Sequence, residues 1–384
     1  MFKEVTDFIR STFNEPEKFI PLHEPRFVGN ERKYVLDAID STYVSSVGKY
    51  VDQFEEMIKN ITGAKYAIAI VNGTSALHMS LILAGVKKDD LVITQPLSFI
   101  ATCNAITYLS AQPLFVDINL KTLGLCADKL KSFLVNKTEV KNNICYHKAT
   151  GKKIAACVPM HTFGHPVELD EILALCNQYC IPLIEDAAES IGSKYKNQHT
   201  GSFGLLGAFS FNGNKTVTSG GGGVIITNDE VLGKLGKHLT TQAKVPHQWN
   251  FVHDHIGYNY RMPNLNAALA CAQLENLNKF IEVKRKLAHT YQNFFAGTEI
   301  QFFTEPTHTY SNYWLNSIVL DSKETRDNFL KYSNDQKVMA RPVWALMNKL
   351  TMFKNCICED ISNAEWIEDR LINIPSSVLV NNNL

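Results

Sequence analysis

The feature that most constrains the fold is an alternation, between residues 60 and 230, of short apolar β-rich runs with longer amphipathic segments. Helix-like segments such as 75–84 and 169–179 separate several of these runs. Strands that alternate with helices predict an α/β domain with a largely parallel, buried sheet. Ligands bind beyond the carboxyl ends of the strands in such folds, so we expect the chemistry there. The predicted strands are residues 66–71, 90–95, 112–118, 153–160, 181–186, 207–211 and 222–228.

The remainder of the chain has a different pattern. Residues 264–295 predict one long amphipathic helix, 312–320 a strand and 322–333 a further helix. We therefore predict a large α/β domain over residues 20–240 and a smaller C-terminal α+β domain over 241–384. Residues 1–19 are expected to pack on the smaller domain.

Composition excludes several classes of protein. The 384 residues contain 38 Lys+Arg and 38 Asp+Glu, so no basic excess favours nucleic acid or a membrane surface. The nine cysteines form no C-x-x-C pair, which favours reduced thiols in the cytoplasm. The charged first residues do not resemble a secretory signal, and no run approaches the ~20 apolar residues of a membrane span. We predict a soluble cytoplasmic protein.

One lysine stands between an aromatic run and four glycines, in the stretch "FSFNGNKTVTSGGGG". A P-loop would need glycine where Asn214 and Phe209 stand, so that interpretation of Lys215 fails. Two interpretations remain: a solvated lysine in a surface loop, or a desolvated, nucleophilic lysine that bonds a cofactor.

Other polar groups follow other predicted strands. Asn72 and Gly73 supply a turn, and Thr74 or Ser75 opens a helix, which makes either an anion site or an ordinary capped turn. Asp186 ends the strand 181–186, where it either caps the next helix or holds a charge for the cation of a ligand. Glu189 would lie near Asp186 if the segment is helical, and helix capping by the pair is the alternative.

Together these groups fit one cofactor. Pyridoxal phosphate (PLP) requires a lysine amine, an acid for its ring nitrogen and a helix N-terminus for its phosphate. Phe99, after the second strand, could supply a ring that stacks on the cofactor, although an aromatic taken alone is more often part of the core.

The order of motifs resembles a known family. "NGTSALH", "LSFIATCNAI", "IEDAAESIGS", "FSFNGNKTVTSGGGG" and "IGYNYRMPNLNAAL" follow one another as in the PLP-dependent nucleotide-sugar aminotransferases of the DegT/DnrJ/StrS family. That family belongs to the aspartate aminotransferase (fold type I) superfamily. The resemblance runs through nearly the whole chain and implies an aminotransferase that acts as a homodimer with shared active sites.

The resemblance also implies roles for individual residues. Lys215 would bond the cofactor and carry the proton, and Asp186 would pair with the ring nitrogen. Glu189 would lie near the ring hydroxyl, and Phe99 would stack on the ring. The phosphate would be held by Gly73, Thr74, Ser75, Ser210 and, from a second subunit, Asn259. A loop residue bonded within its own chain is the alternative for Asn259.

The implied substrates are L-glutamate and a nucleotide-linked 6-deoxy-4-ketohexose. "FNGNKT" followed by "GGGG" looks most like enzymes for UDP-linked N-acetyl sugars that lead to legionaminic acid or bacillosamine. GDP-linked perosamine synthases share "GNKT" and are the alternative, as is a non-catalytic regulator with the same fold. No metal is expected, since Gly164 and Pro166 argue against a helix that would pair His161 with His165. Candidate substrate contacts are His161, His253, Arg341 and Trp344.

Overall fold

The computed structural model describes residues 1–379. The helices are α1 (Phe2–Phe13), α2 (Glu31–Asp40), α3 (Lys49–Thr62), α4 (Gly73–Leu83), α5 (Ile100–Tyr108), α6 (Ala127–Lys137), α7 (Leu169–Gln178), α8 (Glu230–Thr240), α9 (Asn264–Leu274), α10 (Leu277–Phe295), α11 (Lys323–Asp335) and α12 (Ser362–Glu368). Two short 3₁₀ helices cover Thr162–Gly164 and Met347–Lys349.

The strands are β1 (Tyr66–Ile70), β2 (Leu91–Thr94), β3 (Gln112–Phe115), β4 (Thr138–Lys141), β5 (Ile144–His147), β6 (Ile154–Val158), β7 (Ile184–Asp186), β8 (Lys194–Tyr195), β9 (Gln198–His199), β10 (Leu206–Ser210), β11 (Gly223–Thr227), β12 (Gln301–Phe302), β13 (Thr309–Tyr310), β14 (Asn316–Val319), β15 (Arg341–Pro342), β16 (Ile357–Cys358) and β17 (Leu371–Ile374). Each of the seven predicted strand runs overlaps one of them, in the predicted order, and only β10 begins outside its run, by one residue.

These seven strands and the short β16 form the central sheet. Two ladders, β1-β11-β10-β7 and β16-β3-β2-β6, are joined by parallel bridges from Cys157 to Leu183 and from Met160 to Asp186. The strand order is therefore β1-β11-β10-β7-β6-β2-β3-β16, in which β11 runs antiparallel to both of its neighbours. The pairs β10/β7, β2/β6 and β2/β3 are parallel. The predicted α/β class is confirmed, and the carboxyl ends of β7 and β10 lie side by side.

Burial on both faces explains the apolar runs. All residues of β2, β6, β10 and β11 are buried, as expected for strands covered by helices on both sides. Apolar side chains of α3 and α9 pack on one side with Phe209 and Val224, while those of α4 and α5 pack with Ile184 and Ala208 on the other. Helix α4 is apolar around nearly its whole circumference because it is enclosed.

The single long helix predicted over residues 264–295 is wrong, because the chain breaks between α9 and α10. Asn276 lies at the break with φ −101° and ψ 0°. Its side-chain Nδ2 donates to the carbonyl of Ala272 at 3.2 Å, and its backbone N–H turns to the carbonyl of Gln273. The short amide side chain thus competes with the backbone hydrogen bonds of a continuous helix.

A second, antiparallel sheet has the order β12-β14-β17-β15. Val5 and Ile9 of α1 pack in one apolar cluster with Leu287 of α10, Ile318 of β14 and Phe329 of α11. The packing of residues 1–19 on a smaller domain and the domain boundary at residue 240 stay predictions. All nine cysteines are free thiols. Among residues 1–379, no helix is both long enough and apolar enough to cross a membrane.

Candidate active site

A cavity of about 360 Å³ opens at the carboxyl ends of β7 and β10. The first turns of α4 and α5 form part of its wall, as the topology of an α/β sheet predicts. Its walls include seven of the residues selected from the sequence: Gly73, Thr74, Phe99, Asp186, Glu189, Ser210 and Lys215.

Lys215 lies in the loop after β10, and its side chain is only 12% exposed. Its Nζ is 3.1 Å from Oε1 of Glu189 and 3.9 Å from the ring centroid of Trp314. The interpretation of a solvated lysine in a surface loop is therefore wrong. The amine is enclosed, with a carboxylate on one side and an aromatic face near it.

Asp186 ends β7 and is almost completely buried. Thr102 donates its hydroxyl to Oδ2 at 2.6 Å, and the N–H of Ala188 donates to Oδ1 at 3.2 Å. Burial raises the pKa of Asp186 above its usual value, while these hydrogen bonds and the charge of Lys215 oppose the rise. A cation of a ligand beside this carboxylate would be strongly attracted, because the carboxylate itself is buried.

Glu189 is also buried, and burial raises its pKa to about 7 against the opposing effect of Lys215. The N–H of Phe163 donates to its Oε2 at 2.9 Å. Glu189 can therefore gain or lose a proton near neutral pH, directly beside the lysine amine.

The start of α4 forms a cradle for an anion. Asn72 caps the helix, because its Oδ1 accepts from the N–H of Ser75 at 2.8 Å. Among the described residues, no hydrogen-bond acceptor pairs with the N–H groups of Gly73 and Thr74, which line the cavity. A Cβ atom on Gly73 would lie 2.8 Å from Cβ of Ser210, so glycine is what lets the Ser210 hydroxyl lie beside this helix terminus. Helix dipole, free N–H groups and hydroxyl together suit a phosphate.

The residues fit pyridoxal phosphate as a set. The enclosed amine of Lys215, the buried carboxylate of Asp186 and the cradle at Gly73 and Ser210 surround one cavity. Asp186 receives hydrogen bonds from a hydroxyl and an amide, and no cationic side chain of the described residues lies within salt-bridge distance of it. A protonated ring nitrogen would supply the cationic partner that this carboxylate does not have among the described residues.

Three further predicted cofactor contacts differ in their placement. Phe99 lies at the start of α5, 47% exposed, with its ring 6.1 Å from that of Trp344. Ser75 is buried behind the cavity wall, where its N–H is taken by Asn72. Asn259 is exposed and does not line the cavity of its own chain, so its contact from a second subunit stays a prediction.

Of the four candidate substrate contacts, only Trp344 lines the cavity. His161 is fully buried, with Nε2 3.0 Å from Oε2 of Glu185, and it also accepts a hydrogen bond from the N–H of Val167. Arg341 is exposed and donates to Asn334. His253 is exposed, with Nδ1 2.7 Å from the carbonyl of Gln242. These three positions give no support to contact with a substrate in this cavity.

A group of His238, Asp254 and His255 lies on the surface, apart from the cavity. Both histidines point at Oδ1 of Asp254, at 2.6 Å and 3.0 Å. The hydrogen bonds to His255 and His238 lower the pKa of Asp254 to about 2. Hydrogen bonding to one carboxylate accounts for this arrangement.

Two residues of the site were missed by sequence reasoning. Thr102 lies three residues after Phe99, one helical turn along α5, so spacing on the helix could have placed it at the same edge of the sheet. Trp314 reaches the site from a segment just before β14, and its contact with Lys215 depends on how the second sheet packs. No local pattern signals it.

Comparison with known proteins agrees with this geometry. The model of the DegT/DnrJ/EryC1/StrS aminotransferase family matches residues 26–383. A protein of Escherichia coli O157:H7 named GDP-perosamine synthase is 36% identical over 364 residues, covering 94% of this chain and 93% of that protein. One of the same name from Vibrio cholerae is 34% identical over 362 residues, covering 93% and 94%. A Streptococcus pneumoniae protein assigned as a sugar aminotransferase, solved in a PLP form, has the same fold, with a TM-score of 0.84 at 20% identity over 95% of each chain.

Proposed function

Because the chain belongs to the DegT/DnrJ/EryC1/StrS aminotransferase family and is a PLP-dependent enzyme, we propose that it transfers the amino group of L-glutamate to the 4-keto group of a nucleotide-linked 6-deoxy-4-ketohexose. The observation that carries the proposal is the convergence of Lys215, Asp186 and the α4 terminus on one cavity. A non-catalytic regulator would have no need of this complete set.

When bound, PLP supplies an aldehyde that bonds amines and a ring that takes up electrons. Lys215 would hold the aldehyde carbon, and its amine would take the proton from the α-carbon of glutamate and deliver one to carbon 4 of the sugar. Asp186 would accept a hydrogen bond from the ring nitrogen and favour its protonated form. Gly73, Thr74 and Ser210 would bind the phosphate. Glu189, whose pKa burial raises to about 7, would gain or lose a proton beside Lys215 and the ring hydroxyl.

Two sugar nucleotides are candidates for the acceptor. The GDP-linked 4-keto-6-deoxymannose is supported by two relatives, 36% and 34% identical, that are named GDP-perosamine synthase. The UDP-linked 2-acetamido-2,6-dideoxy-4-ketohexose is supported by the glycine run 220–223 after "FNGNKT", which resembles enzymes acting on such sugars.

We further propose that a second copy of this chain completes the site. Large apolar side chains are exposed in the loop that precedes Asn259: Trp249, Phe251 and Ile256 are 69%, 80% and 87% exposed. Such a group of exposed apolar residues is typical of an interaction surface. A second subunit would cover it and bring Asn259 to the partner's phosphate cradle.

The test has two stages. The PLP-loaded protein is first mixed with L-glutamate, and the visible absorption of the lysine-bound cofactor should disappear as 2-oxoglutarate forms. An unchanged band would contradict L-glutamate as the amino donor. The aminated protein is then offered GDP-, UDP- and dTDP-linked 4-ketosugars, and amine products are identified by mass spectrometry. Turnover of the GDP- or UDP-linked sugar is expected, and turnover of neither would contradict the proposed acceptors.

A further inference from the structure

Among the described residues, two side chains contact Nζ of Lys215, and the proposed chemistry uses only one of them, Glu189. The other is Trp314, whose ring centroid lies 3.9 Å from Nζ. Trp314 is 4% exposed and the Lys215 side chain 12%, so both partners are largely buried. A cation over an indole face is most strongly attracted when both groups are desolvated.

Trp314 is fixed to the loop that carries the lysine. Its indole Nε1–H donates to the carbonyl of Asn214, the residue before Lys215, at 2.7 Å. Its backbone N–H donates to Oδ1 of Asn312 at 2.9 Å, and Nδ2 of Asn312 donates in turn to the carbonyl of Glu189 at 2.9 Å. The indole therefore has one orientation relative to both the lysine loop and the segment that carries Glu189.

The backbone carbonyl of Trp314 is also hydrogen-bonded. Lys284, a fully buried lysine of α10, donates from Nζ to the carbonyl of Trp314 at 3.2 Å. Four separate hydrogen bonds thus converge on residues 312–314 and the segments they touch. These bonds fix the side chain whose ring face lies 3.9 Å from Nζ of Lys215.

We propose that Trp314 is a positioning residue which, with Glu189, holds Lys215 as a free ammonium while the substrate nitrogen occupies its place on the cofactor. This inference rests on the role of Lys215 in the proposed function. With the amine of glutamate on the aldehyde carbon, Lys215 would be released as a neutral amine with two hydrogens. It would become a cation on a flexible four-carbon chain when it takes the proton from the α-carbon of glutamate. The ring face keeps that cation at the cavity without adding a second negative charge, so the proton can still be released.

Substitutions at position 314 separate the ring face from the other contacts. Trp314→Phe keeps an aromatic face and loses the Nε1–H donor to Asn214. Trp314→Leu loses both. Trp366 provides a matched control, because its ring lies 4.9 Å from the guanidinium of Arg370 at the surface. Trp366→Phe and Trp366→Leu remove a comparable contact far from Lys215.

The decisive measurement does not depend on turnover. In the apoprotein, the rate at which an acylating reagent labels Lys215 is followed against pH by peptide mass spectrometry. A contact that favours the ammonium moves the midpoint of this curve to higher pH, whereas steric exposure of the amine changes only the plateau rate. We expect Trp314→Leu to lower the midpoint by about half a unit to one unit, and Trp314→Phe to lower it by roughly a few tenths. The Trp366 variants should match the wild type.

A second readout uses the loaded protein. In the glutamate half-reaction with α-deuterated glutamate, Trp314→Leu should slow the step roughly tenfold and increase the isotope effect, because a misplaced lysine makes proton transfer more limiting. Cofactor affinity should change by less than about threefold, since the phosphate cradle is intact.

A second pair of variants tests the role of the ring face if Trp314→Leu does not fold. Phenylalanine and pentafluorophenylalanine placed at position 314 have nearly the same shape, but fluorination removes the negative ring face. The fluorinated protein should then show the lower midpoint. Equal midpoints in this pair, or an unchanged midpoint in a folded Trp314→Leu protein, would overturn the role of Trp314. Failure of the wild type to bond PLP through Lys215 would instead overturn the proposed function.

Discussion

Lys215, Asp186 and Glu189 line one cavity, and their charges depend on one another. Burial raises the pKa of Asp186 and of Glu189, and the positive charge of Lys215 opposes the rise at both residues. Lys215 donates a hydrogen bond to Glu189, whereas Asp186 accepts one from the hydroxyl of Thr102. Asp186 can therefore pair with a cation that the ligand supplies, such as a protonated pyridine ring.

The covalent role of Lys215 is tested by Lys215→Ala. The variant should lose the adduct that borohydride reduction fixes between PLP and the wild-type protein, because no other amine lines the cavity among residues 1–379. Peptide mass spectrometry of the reduced protein locates the adduct. Lys284 is the matched control, since burial lowers its pKa to about 7 and makes it the chemically nearest competitor. Lys284→Met should keep the adduct, and an adduct found on Lys284 would contradict the assignment.

The charge of Asp186 is tested by Asp186→Asn, which preserves the shape of the side chain. We expect turnover to fall roughly a hundredfold or more, while the affinity for PLP falls less than about tenfold, since ring protonation matters mainly in the transition state. Fluorescence titration of the apoprotein gives the affinity and single-turnover kinetics give the rate. Near-normal turnover would mean that the ring nitrogen has another partner.

The raised pKa of Glu189 predicts a pH dependence of stability. Its value of about 7 in the folded protein exceeds the ordinary value of 4.5, so between these two pH values the folded state retains a proton that the unfolded state has lost. The free energy of unfolding therefore falls as pH rises through this window. The wild-type apoprotein should lose on the order of 3 kcal/mol more than Glu189→Gln between these limits. Denaturant titrations at several pH values measure the difference, and parallel curves would show that Glu189 ionises near its ordinary value.

At the scale of elements, the central sheet could be predicted because burial on both faces leaves a strong apolar signature in each strand. The connection of β10 to β11 without a helix was also visible, and it corresponds to the antiparallel pair. The break at Asn276 could not be predicted, because a single amide between two apolar helical segments does not disturb the apolar periodicity of the sequence. The strand predicted over 312–320 forms only over Asn316–Val319, since side-chain hydrogen bonds occupy the backbone of Tyr313 and Trp314.

The candidate site shows the same contrast between residues that the sequence predicts and residues that it does not. Residues at the ends of strands and starts of helices were accessible from sequence, since topology brings those ends to one edge of the sheet. Trp314 and the burial of His161 depend on contacts between segments distant in the chain. Such contacts produce no periodic pattern in the amino-acid sequence.

The close approach of α4 to β10 is tested by Gly73→Ala. The added Cβ would lie 2.8 Å from Cβ of Ser210 and force the helix terminus and the hydroxyl apart. We expect the dissociation constant for PLP to rise roughly tenfold or more, through weaker hydrogen bonds to a charged phosphate. Gly213→Ala is the control, because no atom lies within 4 Å of a Cβ placed there in the lysine loop. Similar affinities in the two variants would show that the phosphate binds elsewhere.

For the molecule as a whole, the open question is whether one chain holds a complete site. Asn259 is exposed, yet Tyr260 beside it accepts the N–H of Val71, just before the cap of α4. Contact with its own phosphate cradle is therefore a geometric alternative to contact with a partner's cradle. The exposed Trp249, Phe251 and Ile256 favour the partner, since an isolated chain would leave this apolar surface in water.

Complementation between two inactive variants decides between these alternatives. Lys215→Ala removes the cofactor bond, and Asn259→Asp places a carboxylate beside phosphate, where like-charge repulsion penalises binding more than loss of one hydrogen bond. If Asn259 serves the partner's site, a mixed dimer has one site with both changes and one with neither. Random reassortment makes about half of the dimers mixed, so activity should recover to roughly a quarter of the wild-type value in a closed two-chain assembly. The chains must be co-expressed with different tags, so that mixed dimers can be isolated and counted. Mixed dimers that stay as inactive as the two separate variants would mean that Asn259 acts within its own chain.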